Sequence, residues 1–404
     1  MKHLPLLFWL FTLSGCGAPP VAPTPEEPEP YITFHLNDNV ENGEEDYAVA
    51  IIDLWQRYLN EPRNFLKPEN DFWDRSRFAF PDNAYNQLLI GLIGARKARK
   101  KVRCNILGVT PVEREYYLLS SMFYETTDST RTTDLKFIVT AYARKIDGAY
   151  RLVCSPQYLR EAYETHQVGD VNYLIHPTHD FQREEAVKMN RFNQEIAAKF
   201  DREPLAFDYV VANHTGDLAD MMGMNFNSYS FSANRSGGMA DTYNNIIYAG
   251  NNSAYYPHEV VHLYTHAAFP RQYHAWVDEG IAALFGGSTG YYIEWHWQKL
   301  KEFLAANPDF PLEDLTALQT DIPNGEYTTD FRYAIGGFLM EQVYKREGMP
   351  GLLEALASGR SEEEYFAMLE TKIGFKRAEF EDYVRREMET LPPLSKSEMT
   401  KLRY

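Results

Sequence analysis

The pentapeptide His258-Glu259-Val260-Val261-His262 constrains this chain more than any other stretch. On a helix, residues four apart share one face, so both imidazoles can reach a single cation at about 2.0–2.1 Å. Glu259 sits too close to the first imidazole to share that ion comfortably. It is free to take a proton from a water beside the ion. Pro257 suits the first turn of such a helix. His266 lies one further turn along, about 12 Å from His258 at 1.5 Å per residue. It therefore reads as a hydrogen-bonded core or supporting histidine, and the third ligand has to come from elsewhere. HAWVDEGIAALFGG, residues 274–287, has apolar residues at helical spacing and two glycines as its stop. Glu279 stands among its small and apolar residues, where a carboxylate costs free energy unless paired. A cation shared with His258 and His262 supplies that partner and requires the two helices to pack together. The competing reading makes these histidines ordinary core residues and needs no metal.

Together the two segments resemble the gluzincin zinc metallopeptidases, whose WLxEGxA segment carries a glutamate ligand on a second helix. The matching residues are Trp276, Glu279, Gly280 and Ala282. The resemblance implies Zn2+ held by His258, His262 and Glu279, with Glu259 as general base, and hydrolysis of bonds in a peptide or protein substrate. It does not extend to the metzincins, which need glycine and histidine where Thr265 and Ala268 stand. It departs from the thermolysin-type members too. Their aspartate four residues after the glutamate ligand is Ala283 here, so the first histidine's partner must come from elsewhere, a backbone carbonyl being one source. Asp278, about 100° around the helix from Glu279, takes no part in this reading. The departure keeps open a second function, a zinc-binding but non-hydrolytic envelope scaffold or binding protein.

TDFRYAIGGFLMEQVYKREGMPGLLEAL, residues 329–356, is similar to the tyrosine-bearing helix that follows the zinc helices in these peptidases. This implies an oxyanion-stabilising hydroxyl at Tyr333, with Tyr327 in reserve. No G-x-M-E-N segment precedes HEVVH. GGMAD, at residues 237–241, has no glutamate to hold a substrate amino terminus, which favours an endopeptidase. By element order, residues 244–250 are the strand edge on which a peptide would pair.

At the other end of the chain, MKH precedes LPLLFWLFTL, an apolar run of 10 residues. That is a signal-peptide core, too short to span a bilayer. LSGC, ending at Cys16, resembles a bacterial lipobox. It implies cleavage before Cys16, acylation of that cysteine and a membrane tether in the bacterial cell envelope, the leaflet left open. An ordinary signal peptide with a chance cysteine is the alternative. GAPPVAPTPEEPEP (residues 17–30) reads as an extended tether, and residues 31–46 as polar and irregular. The formal net charge of −17 argues against nucleic acid as a partner. RKARKK, residues 96–101, reads as the solvated end of a helix.

The expected fold class is α+β. An N-terminal helix plus antiparallel sheet occupies residues 47–155, followed by a mostly helical zincin-like peptidase domain with a small sheet over 156–392 and a tail from 393 to 404. DYAVAIIDLWQRYL and YNQLLIGLIGARKARK read as helices. CNILGV, EYYLLSSMFYET, LKFIVTAYARKI and YRLVC read as strands, with KIDGAY as the last hairpin turn. By element order this half resembles the cone-shaped nuclear-transport-factor and cystatin-like domains. Cys104 and Cys154 fall on strands of this sheet, either bridged or as two buried thiols.

Overall fold

The computed structural model describes residues 32–36, 40, 43–61, 71–97, 101–126, 133–228, 236–270, 272–322 and 329–401. The leader segment, Cys16, the proline-rich stretch 17–30 and Tyr327 lie outside the described residues.

Strand β1 (Ile32–Leu36) is followed by helices α1 (Asp46–Asn60) and α2 (Asn86–Lys97). Then comes the meander β2 (Lys101–Pro111), β3 (Tyr116–Thr126), β4 (Thr133–Ile146) and β5 (Ala149–Val153). The fold is α+β, with this helix-plus-sheet unit first and a mostly helical region after it. Asp147 and Gly148 close the β4–β5 hairpin with φ of 49° and 84°, the left-handed pair that a two-residue turn requires. One detail corrects the sequence reading, and a second decides between two alternatives it left open. Ile32–Leu36, expected to be irregular linker, is a strand paired in parallel with β2. Cys104 and Cys154 are both buried and free. Cys104 lies on β2 and Cys154 just past the end of β5, with β3 and β4 between them, a separation beyond disulfide reach at the usual strand spacing.

The chain continues through α3 (Ser155–Ala162), β6 (Glu164–Val168), β7 (Val171–Ile175), α4 (Arg183–Lys199), β8 (Phe207–Ala212) and α5 (Thr215–Met221). Strands β9 (Phe226–Asn227), β10 (Gly237–Asp241) and β11 (Ile246–Gly250) follow. Five strands form a second sheet in the order β10-β11-β8-β7-β6. Every residue of β8 and β11 is buried, because the sheet is covered on both faces. Tyr209, Val211, Ile247 and Ala249 join the core under the C-terminal helices. Val210, Ala212, Ile246 and Tyr248 join the core of the first unit. Strand β9 even pairs with β4 of the first sheet. The second sheet thus contributes side chains to both cores.

The remainder is helical: α6 (Pro257–Ala268), α7 (Ala275–Gly286) and α8 (Ile293–Ala306), then the short pair β12 (Asp321–Ile322) and β13 (Thr329–Asp330). A π-helical turn over Arg332–Gly336 leads into α9 (Gly337–Leu356), which bends at Gly348, and α10 (Glu362–Lys372), α11 (Phe380–Thr390) and α12 (Lys396–Lys401) complete the chain. Among the described residues no helix is long and apolar enough to cross a membrane.

Candidate metal centre

Helices α6 and α7 meet because glycine lets them. A Cβ on Gly286 would lie 2.6 Å from the His258 Cα, and one on Gly280 would lie 2.6 Å from the Gly336 carbonyl oxygen. Gly287 then ends α7 at φ 65° and turns its carbonyl to His258, whose Nδ1 lies 2.6 Å from that oxygen. A carbonyl only accepts, so His258 carries its proton on Nδ1 and presents Nε2 to the interior. The first histidine's partner is thus a backbone carbonyl. Ala283, which stands where thermolysin-type peptidases have their aspartate, is fully buried, with its Cβ facing Gly337.

His262 is held in the same way from the opposite side. Its Nδ1 lies 3.0 Å from Asp278 Oδ2, and Asp278 Oδ1 accepts the Thr265 hydroxyl at 2.5 Å. The sequence reading gave Asp278 no role. Its rotation away from Glu279 places it outside the His262 ring, and its position beside a candidate ligand was the available signal. Glu279 reaches inward.

The three inward atoms converge. His258 Nε2 and His262 Nε2 are 3.3 Å apart, and Glu279 Oε2 lies 3.2 and 3.7 Å from them. Three electron-rich atoms hold that spacing only around positive charge. A tetrahedral zinc with arms of 2.0–2.1 Å separates its ligands by about 3.3–3.4 Å, so the donor set fits zinc in number, type and spacing. Burial alone would push the His262 imidazole down, but Asp278, then Glu279 and Glu259, push it up to about 10. Burial raises the Glu279 carboxyl, but the His258 hydrogen bond, His262 and Arg332 bring it down to about 2.

The triad opens into a cavity of about 320 Å³, also lined by Glu259, Tyr333 and the β10 residues Gly238, Met239 and Ala240. Glu259 is buried, and loss of solvent raises its carboxyl above the ordinary range. The Tyr333 ring stands 5.3 Å from the His258 ring at 70°. Burial, followed by Glu279 and Glu259, raises its hydroxyl far above the usual tyrosine value, so the group is a hydrogen-bond donor at any physiological pH. The π-helical turn that carries Tyr333 was not legible in the sequence; such turns recur at functional sites. His266 lines the cavity edge-on to Tyr243, ring centroids 5.0 Å apart, and stays outside the triad. One expectation is corrected. Residues 244–250 do not form a sheet edge, because β10 covers β11 in antiparallel register. Among the described residues the edge on this side of the sheet is β10 itself, and the opposite edge is β6.

No family model matches the chain, and no curated protein matches its sequence. Among solved structures it is similar to an M1 zinc metallopeptidase variant from Deinococcus radiodurans, crystallised with a Tyr-Ser-Ala substrate. The identity is 14%, the TM-score 0.28, and the overlap covers 73% of this chain and 66% of that one, just under two thirds. Any functional reading rests on this chain's own site.

Proposed function

We propose that the protein is a zinc-dependent hydrolase of peptide bonds. One observation carries the reading: two imidazoles and a carboxylate, each histidine held from behind, converge at ligand spacing in the cavity that holds a buried glutamate. When bound there by His258, His262 and Glu279, zinc supplies Lewis acidity that polarises a carbonyl and acidifies water. Glu259 takes the proton of the attacking water and passes it to the leaving amine. Tyr333 donates its hydroxyl to the oxygen that gains charge. The β10 edge offers backbone N–H and C=O groups to an extended peptide beside the metal ligands. The missing aspartate at position 283 no longer favours a non-hydrolytic scaffold, because the Gly287 carbonyl takes over its duty toward His258. Absence of a glutamate in β10 supports endopeptidase action, and the lipobox-like segment ending at Cys16 supports a tether to a bacterial envelope membrane.

The test is direct. Purified protein should carry about one zinc per chain, lose stability in chelator, and cleave peptides. Glu259→Gln should keep the zinc and lose about a hundred-fold or more in rate. A protein that binds no metal, or a Glu259→Gln variant as active as wild type, would sink the reading.

A further inference from the structure

The turn between β10 and β11 is gripped from outside the helical region. Asp241, the last residue of β10, is 3% exposed. Its carboxylate accepts the backbone N–H of Tyr243 at 3.1 Å and that of Asn244 at 3.2 Å, a tight local turn. Asn83, from the first unit, also donates to it. Asn244 reaches back to the first unit twice: its Oδ1 accepts the Phe80 N–H at 3.0 Å, and its Nδ2 donates to the Phe80 carbonyl at 2.9 Å. The Phe80 ring packs on Tyr243, centroids 5.0 Å apart, and Tyr243 in turn meets His266 on the cavity wall. On the far side, the Asn245 carbonyl accepts the Asp208 N–H at 3.0 Å. The Asp208 carboxylate is held by Arg77 at 3.0 Å and Arg160 at 2.6 Å. A strap over residues 77–83 therefore fastens both flanks of the turn.

The strand behind that turn has reason to be fastened. Among the described residues β10 has a neighbour on one side only, and it opens on two glycines, which lose the most freedom on ordering. A peptide that pairs with such an edge has to order it first, and that cost weakens binding.

We propose that the strap over residues 77–83 is a positioning element of the hydrolytic site. By clamping the turn over residues 241–245 it holds the free edge of β10 against the metal cavity, so the N-terminal unit contributes to binding of extended peptides. The proposal rests on the hydrolytic reading above. It assigns the first unit a duty toward substrate, distinct from metal binding and from the bond-breaking step.

The experiment uses the full chain carrying Phe80→Ala with Asn83→Ala, beside the conservative Phe80→Tyr. Hydrogen exchange at the β10 amides, compared with α6, reads the clamp without any need for turnover. The double variant should exchange faster in β10 by about ten-fold or more with α6 unchanged. Zinc content should stay at the wild-type level. KM for a long, extended peptide should rise about ten-fold while kcat stays within about two-fold, and a dipeptide amide too short to span β10 should be cleaved as by wild type. Phe80→Tyr should match wild type throughout. Unchanged exchange in β10, or equal losses on the long and short substrates, would overturn the proposal. A wild type that cleaves neither substrate would sink the hydrolytic reading instead, and the exchange comparison would still decide the clamp.

Discussion

At the residue scale, the proposed ligand set starts from a spacing that one helix imposes and is completed by a carboxylate on the next. His258 and His262 share a face because they are one turn apart, and Glu279 is legible because its helix offers it no other partner. Asp278 was not legible, and the reason is geometric. Projection of one helix shows that it turns about 100° from Glu279; it does not show that His262 of the neighbouring helix fills that direction. Holding a ligand histidine by its other ring nitrogen fixes its tautomer and raises its basicity. Asp278→Asn keeps the shape and removes the charge 3.0 Å from His262 Nδ1. Zinc affinity, measured by competition with a chromogenic chelator, should fall about 10–100-fold, with the far-ultraviolet circular dichroism unchanged. An affinity equal to wild type would remove Asp278 from the site.

At the scale of elements, the long helices and the meander were legible because their apolar periods are sustained, whereas β1, β9 and β10 were not. β9 is only 2 residues long. β10 begins with two glycines, poor strand formers, and is made extended by its pairing with β11. The packing of α7 on the π-helical turn is likewise a tertiary matter, although the glycines that permit it are visible as residues. Gly280 and Gly336 face each other so closely that a Cβ on either would lie under 3.0 Å from backbone of the other element. Backbone cannot swing aside as a side-chain tip can, so Gly280→Ala has to pry α7 off the turn that carries Tyr333. It should cost about 1–3 kcal/mol in urea unfolding and weaken zinc binding through the displaced Glu279. Gly94→Ala, in α2 with open space around it, is the control and should be neutral or stabilising, by up to about 1 kcal/mol. Equal effects at the two positions would mean that helix propensity, and not close approach, sets the outcome.

At the scale of the whole molecule, the second sheet decides how the chain holds together. A sheet solvated on one face alternates apolar with polar residues, but FDYVVA and IIYAG are buried throughout, as strands covered on both faces are. Half of each strand packs on the C-terminal helices and half on the first unit. Leu174, Val210, Ile246 and Tyr248 would therefore meet water if the first unit were removed. Such a patch on an open sheet is an aggregation hazard. The two halves ought to unfold together: the chain from residue 31 onward should show one calorimetric transition with calorimetric and van't Hoff enthalpies equal. A fragment over residues 156–404 should bind a hydrophobic dye and aggregate, even with zinc present. Two resolved transitions, or a soluble fragment that keeps its zinc and its activity, would show that the apolar runs of β8 and β11 are covered without the first unit. The joint core would then contribute nothing to the site.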